Sequence, residues 1–293
     1  MMAKLGALAR YLLGHDPAGR NLSTFPDDTF IVSYPKSGNT WTRFLVASLI
    51  HDEEPMTFLK ADKVIPTIDS QSRKYFKSLP RPRVIKSHFP FDQNYQRVIY
   101  IVRDPKDVAV SQYHYQIKRK VLEDGHPMDE WIARYVAGET CPYGSWGENV
   151  GSWLAARQQN PNFLLLRYED MIQRTDVELI KIARFFGIDP TPERIQWAIG
   201  QSTADRMRKL EQKEAGKWRS TRDTRKDKFF VRSAKAGEGK ATLSPAAIAQ
   251  IESAWGPLMQ WLGYETASTG KRGTDCGPSE RTFLEAALEQ RVR

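Results

Sequence analysis

The chain has 293 residues and a net charge of +9 at pH 7. Its 40% hydrophobic and 11% aromatic content excludes a disordered or fibrous protein and supplies enough apolar mass for a sizeable core. The basic excess favours a polyanionic partner, whether nucleic acid, an anionic membrane or a phosphorylated small molecule, and does not choose among them.

The N-terminal stretch Met1 to Leu13 carries Leu5, Leu8, Leu12 and Leu13. It reads as an amphipathic helix docked on the domain, with a peripheral membrane anchor as the alternative. It lacks the long apolar region of a signal peptide. No apolar run approaches the roughly 18 residues of a membrane span, so no transmembrane segment is expected. Cys141 and Cys276 are far apart and have neither metal-ligand nor redox spacing. They fit a reducing compartment, and a cytoplasmic location is expected. The five histidines form no cluster, and no metal site is expected.

Short apolar runs bounded by turn residues predict buried strands at 30–32, 83–85, 98–102 and 163–166. Helical periodicity follows Asn39 and Pro105 and recurs at 176–187, 191–200 and 245–262. Ser244 before Pro245 reads as an N-cap with proline in the first turn. Residues 51–82, with Pro55, Pro66, Pro80 and Pro82, read as a loop. So do residues 205–240, where 13 Lys and Arg stand against 6 Asp and Glu, an excess of +7. The piece from 268 to 293 reads as a peripheral tail ending in a short helix at 279–292. Strands alternating with helices predict an α/β fold: one domain over 1–293, core about 28–262, with a central, mostly parallel sheet flanked by helices on both faces. Ligands in such folds bind beyond the carboxyl ends of the strands, where the motifs fall.

Residues 30–41 read as a strand, a tight turn and a helix start, an arrangement that holds phosphate on unsatisfied backbone N–H groups. Lys36 adds a full charge, Gly38 permits close backbone approach, and Ser37, Asn39 and Thr40 offer side-chain donors. The lysine precedes the glycine, unlike the Walker order. Tyr34-Pro35-Lys36-Ser37-Gly38-Asn39-Thr40-Trp41 resembles the 5′-phosphosulfate loop of the cytosolic-type sulfotransferases, usually Y-P-K-[SA]-G-T-T-W, which use 3′-phosphoadenosine 5′-phosphosulfate (PAPS). Asn39 stands where threonine is common. Residues 103–111, Arg103-Asp104-Pro105-Lys106-Asp107 and on to Ser111, meet that family's R-[DN]-P-[KR]-D-x-x-x-S pattern.

The resemblance implies a P-loop-like fold and an enzyme that transfers the sulfuryl group of PAPS to an acceptor hydroxyl or amine, leaving PAP. It implies Arg103 and Ser111 as ligands of the 3′-phosphate, a task suited to a forked guanidinium. Lys86-Ser87-His88-Phe89-Pro90 matches K-[ST]-H-x-P, which makes His88 the general base, its pKa lowered somewhat by Lys86 and Lys36. Lys36 is the candidate for leaving-group stabilisation, and Lys86 for holding the sulfonate or 5′-phosphate. Trp41 is implied to stack on adenine, or else is a core tryptophan. Tyr168, in Tyr168-Glu169-Asp170-Met171, and more loosely Ser202, are implied adenine contacts. The family's R-K-G-x-x-G-x-W loop is met only by Arg232 and Gly237 in 232–239. Arg232 is carried over as a 3′-phosphate ligand, Gly237 as a backbone contact, and Lys235 as a stand-in for the missing lysine. The loop is expected to be a flexible lid, while 205–229 is either part of it or a solvated loop. The family's dimer motif is broken around Lys240, Ser244-Pro245 and Ala249, which leaves the oligomeric state open.

A P-loop-type small-molecule kinase is the alternative and would need magnesium. A nucleic-acid binder fits the charge, but no recognition motif is present, and no nucleic-acid partner is expected. The intact Lys86 and His88 argue against a catalytically dead PAP-binding module. A small hydroxylated acceptor is expected, its pocket shaped by 51–82 and 118–148; Tyr75, Phe76, Phe89, Tyr143 and Trp146 either line it, for a phenol, sterol or lipid-like alcohol, or are packing, and the basic segment also admits an acidic acceptor such as a glycan or phosphorylated metabolite.

Overall fold

The computed structural model describes residues 16–51 and 54–267. The helices expected at 1–13 and 279–292, and Cys276, lie outside the described residues. Strand β1 (Thr29–Ser33) runs into α1 (Asn39–Ile50), and two short helices, α2 (Phe58–Val64) and α3 (Arg73–Ser78), precede β2 (Val84–Ser87). Strand β3 (Arg97–Val102) leads into α4 (Pro105–Lys118), then α5 (Met128–Val136) and α6 (Trp146–Arg157). Strand β4 (Phe163–Arg167) continues into α7 (Tyr168–Gln173), α8 (Thr175–Phe186), α9 (Pro192–Gln201) and α10 (Ala204–Glu214). Helices α11 (Glu238–Thr242) and α12 (Pro245–Trp261) follow.

The four strands pair in parallel in the order β2-β1-β3-β4. Phe30 sits opposite Ile85 on one side and Val98 on the other, which fixes the register at the middle of the sheet. Alternate residues feed two cores. Phe30, Val32, Val98, Tyr100 and Val102 face a layer with α5, α6 and α12. Ile31, Ile99 and Ile101 face a layer with α1, α8 and α9. Every residue of β1 is buried, as a parallel strand covered on both faces requires. Trp131, Trp146 and Trp153 are fully buried in the first layer, and each such aromatic contributes on the order of 1.5–3 kcal/mol by leaving water.

The four predicted strands match to within one or two residues, and the helices predicted at 176–187, 191–200 and 245–262 do also. Ser244 caps α12, its side chain accepting from the Ala247 N–H. Residues 51–82 depart from expectation, because α2 and α3 lie within them. Thr57 caps α2 by accepting from the Lys60 N–H, and Ser72 caps α3 by accepting from the Tyr75 N–H. Residues 118–148 likewise contain α5 and the start of α6, where Ser145 and Glu148 form a capping box. The supposed basic loop begins with α10.

The connection from β1 leads to one side of the sheet, and that from β3 to the other. The loops after these adjacent strands therefore diverge and open a crevice at their carboxyl ends. Both phosphate motifs sit on these two loops.

Candidate active site

A cavity of about 720 Å³ opens at this crevice, within the range of roughly 300–1,000 Å³ usual for small-ligand sites. Lys36, Gly38, Asn39, Thr40, Trp41, Lys86, His88, Arg103, Ser111, Tyr168, Ser202 and Arg232 all line it. Ser37 and Gly237 do not.

The turn from β1 to α1 needs unusual backbone at two positions. Lys36 has φ of 71° and Gly38 has φ of 99°. A Cβ at Gly38 would lie 2.4 Å from the Tyr168 ring, so the glycine serves both the left-handed conformation and the packing of that ring. The first N–H groups of α1 have no intrahelical acceptor and are free for an anion. Asn39 turns inward, its amide donating to the Ile31 carbonyl at 3.3 Å and to the Ser33 hydroxyl at 3.2 Å. The side-chain donation to phosphate expected of Asn39 is thus spent on β1. Ser37 is buried with its hydroxyl unpartnered.

The ammonium of Lys36 lies between two rings, 4.3 Å from the centre of Tyr115 and 4.1 Å from that of Phe230. Burial, then the positive Arg103, Lys86 and Arg232, bring its pKa down to about 7. Lys86, on β2, is brought down to about 7 by burial and by Arg43. His88 follows β2. Its Nδ1 lies 2.7 Å from the Ser33 carbonyl oxygen. A carbonyl only accepts, so Nδ1 carries the proton and Nε2 is left as the basic nitrogen. Burial, reinforced by Lys86, holds the imidazole well below its ordinary pKa, so it is neutral at pH 7. Burial outweighs the two lysines as the cause.

Arg103 closes β3. Its guanidinium donates to Asp107 at 3.3 Å, to the Lys235 carbonyl at 2.9 Å and to the Lys36 carbonyl at 3.4 Å, and stacks 4.3 Å above Tyr168. Its Nε has no partner. Lys235 thus contributes a carbonyl. Asp104 caps α4, while Asp107 ties down the segment after α10. Asp107 accepts from the Gly237 N–H at 2.8 Å and the Gly239 N–H at 2.7 Å. Gly237 therefore spends its N–H on Asp107, which removes the backbone contact expected of it. Arg232 pairs with Glu238. Further ties run from Lys118 to the carbonyls of Arg225 and Lys228, from Glu211 to the N–H groups of Phe230 and Val231, and from Arg208 to the carbonyls of 231–233. The segment 225–239 is thus held chiefly by the buried Lys118, Glu211 and Asp107 and is not a merely solvated loop.

Trp41 is partly buried, its indole donating to the Ser202 carbonyl at 3.1 Å with an edge-on contact to Tyr168. It is a cavity wall, not a core tryptophan. The Ser202 hydroxyl donates to Ala198 within α9, so Ser202 positions Trp41. Of the five aromatic residues expected around the acceptor, only Tyr143 lines the cavity. Phe76 and Trp146 are core residues. The signal for Tyr115, Phe230, Asp69, Arg119 and Arg219, which do line it, was absent from the sequence motifs. Among the described residues no group of His, Cys, Asp and Glu is placed to hold a metal ion, and no helix is long and apolar enough to cross a membrane.

A charged phosphate cradle, a neutral imidazole and an adjoining cavity at a sheet switch point define a group-transfer enzyme acting on a phosphorylated donor. A family model described as the sulfotransferase domain matches residues 26–263, and the chain belongs to that family as a PAPS-dependent sulfotransferase. Sulfotransferase 1B1 of Canis lupus familiaris is 30% identical over 199 residues, covering 62% of this chain and 67% of that protein. The 3-beta-hydroxysteroid sulfotransferase of Cavia porcellus is 33% identical over 196 residues, covering 63% and 67%. Retinol dehydratase, solved with androsterone and inactive cofactor PAP, superposes with a TM-score of 0.67 at 21% identity, covering 85% of this chain and 84% of that one. Mouse sulfotransferase SULT7A1, solved with PAP, gives 0.66 at 22% identity, covering 94% and 91%. The P-loop kinase alternative gives way to this family.

Proposed function

We propose that this cavity holds PAPS against the phosphate loop and α4 while an acceptor hydroxyl attacks its sulfur, His88 serving as base. The carrying observation is the convergence of Lys36, Lys86, His88, Arg103 and Ser111 on one cavity, with the His88 tautomer fixed by Ser33.

Lys36 and the first N–H groups of α1 hold the 5′-phosphosulfate, and Arg103, Ser111 and Arg232 hold the 3′-phosphate. Trp41 and Tyr168 flank the adenine, with Ser202 fixing the indole. His88 Nε2 takes the hydroxyl proton as the acceptor oxygen forms its bond to sulfur. The bond from sulfur to the bridging oxygen breaks, and the electron pair stays on the 5′-phosphate of PAP. Lys36 stabilises the charge that gathers on that oxygen, and Lys86 that on the sulfonate. Fixed charges of this kind need little reorganisation at the moment of transfer.

The acceptor is a small hydroxylated molecule, admitted past Tyr143 and Val121. Lys36, Lys86, His88 and Arg103 lie on the strands of one sheet or on the loops that leave them, which supports a single domain. The two cysteines, far apart in sequence, support a cytoplasmic location.

Calorimetric titration with PAP in the absence of magnesium, with ATP beside it, tests the cofactor. Tight PAP binding that weakens strongly in Arg103→Ala is expected. Absent PAP binding at low salt, or magnesium-dependent ATP binding in its place, would sink the proposal.

A further inference from the structure

The cavity has a second group of cations. Lys36, Arg103 and Arg232 belong to the phosphate motifs and the loop beside them, whereas Arg119 and Arg219 line the same cavity from outside those motifs. The path between them is continuous. The Tyr143 ring lies 5.5 Å from that of His88. Arg219 acts electrostatically on Lys86, Tyr143 and Tyr115 alike. Arg119, at the end of α4, lies 5.8 Å from the Tyr115 ring.

These arginines differ from their neighbours. Arg208, Arg222, Arg225 and Arg232 each pair with a carboxylate, namely Asp205, Asp223, Asp227 and Glu238. Neither Arg119 nor Arg219 has a carboxylate partner among the described residues. Asp69 is the sole carboxylate among the described residues that line the cavity, and it accepts the Tyr143 hydroxyl at 2.7 Å. The donor's phosphates are matched by Lys36, Arg103 and Arg232 and its sulfonate by Lys86, so Arg119 and Arg219 keep a positive surplus that the donor does not neutralise. Val121, 62% exposed, lines the cavity two residues beyond Arg119, and offers apolar contact between the two ends of an acceptor.

Resting on the sulfotransferase reading of this site, we propose that the acceptor is a hydroxylated compound bearing an oxyanion, carboxylate or phosphate. Arg119 and Arg219 hold the oxyanion at the mouth while the hydroxyl at the other end reaches His88. The stem between passes Tyr143 and Val121. Two exposed guanidinium groups acting together favour the anion over a neutral analogue by about tenfold at low salt, and the preference fades as salt screens it.

The test is binding to the enzyme–PAP complex, which needs no turnover. The probes are 3-(4-hydroxyphenyl)propanoate against its primary amide, 6-hydroxyhexanoate against its amide, and 6-hydroxyhexyl phosphate against hexane-1,6-diol. At least one anion is expected to bind about tenfold more tightly than its neutral partner. That preference is expected to fall to near unity in the Arg119→Gln/Arg219→Gln double variant, with PAP affinity kept within about threefold. Preference in the carboxylate pairs alone, or in the phosphate pair alone, identifies the oxyanion. Equal binding of every pair, or a preference that survives in the double variant, overturns the proposal. Failure of the wild-type protein to bind PAP at all would instead overturn the reading on which it rests.

Discussion

The Nδ1 of His88 lies 2.7 Å from the carbonyl oxygen of Ser33, the last residue of the strand that feeds the phosphate loop. Base and leaving-group cradle are therefore keyed to the same strand. The hydrogen bond also sets which imidazole nitrogen carries the proton. Burial holds His88 well below its ordinary pKa, so it stays in the base form at pH values where a free histidine is charged. The acid limb of the transfer rate is accordingly expected below pH 6.5, the unperturbed value. A pH profile of kcat/KM measures it, and an acid limb at or above 6.5 would contradict the burial argument.

Burial brings the pKa of both Lys36 and Lys86 down to about 7. The 5′-phosphate of PAP beside Lys36 favours its charged form, so its pKa rises on PAP binding and protons are taken up, while Lys86 answers to the sulfonate that PAP lacks. PAP affinity is therefore highest below pH 7 and falls as pH rises from 7 to 9, by up to about tenfold per pH unit for the one proton on Lys36. Calorimetry in buffers of differing ionisation enthalpy counts the protons. Proton release, or affinity that rises with pH, would be the opposite result.

Asp107 ties the lid to α4 through the Gly237 and Gly239 N–H groups and neutralises Arg103. In Asp107→Ala these donors and the buried guanidinium lose their partner, a loss of about 3 kcal/mol by the usual cost of breaking a buried pair. Faster proteolysis within 225–240 and a lower Tm are expected, together with weaker PAP binding. Unchanged lid protection would show that the other ties suffice.

Gly239 packs so closely on α4 that a Cβ would lie 2.4 Å from the Lys106 carbonyl carbon. At Gly38 the obstacle is the Tyr168 ring, and φ is 99° besides. Gly239→Ala is expected to loosen the lid as Asp107→Ala does. Gly38→Ala is expected to lose PAP binding, and the Gly38→Ala/Tyr168→Ala pair to regain little, because removing the ring leaves the left-handed strain. Melting temperature and PAP titration distinguish the two sites.

The strands were legible because each is a short apolar run that fills a two-sided parallel sheet. Lys36, His88 and Arg103 were legible because the loops that carry them keep a family pattern. Helices α2 and α3 were not, since seven and six residues hold too few turns for periodicity, and prolines surround them. Their caps, Thr57 and Ser72, were the available signal, as was Ser145 with Glu148 for α6. The role of Asp107 was hidden because its partners are backbone N–H groups some 130 residues away, which no local pattern encodes. Asn39 and Gly237 matched or nearly matched the family's motifs, yet the structure turns their donors toward Ser33 and Asp107. Phe76 and Trp146 looked like an acceptor wall and are core, because aromatic residues in loops and in short helices have the same composition.

Transfer of labelled sulfuryl from PAPS, by wild type and by His88→Ala, tests the central claim most directly. With an acceptor from the probes above, wild type is expected to form labelled product. His88→Ala is expected to lose at least about 100-fold in rate, as removal of a general base does, while PAP binds it with near wild-type affinity. Transfer by His88→Ala at the wild-type rate would contradict the assignment of the base. Wild-type protein that binds PAP tightly yet transfers nothing to any hydroxylated acceptor would contradict the enzyme itself.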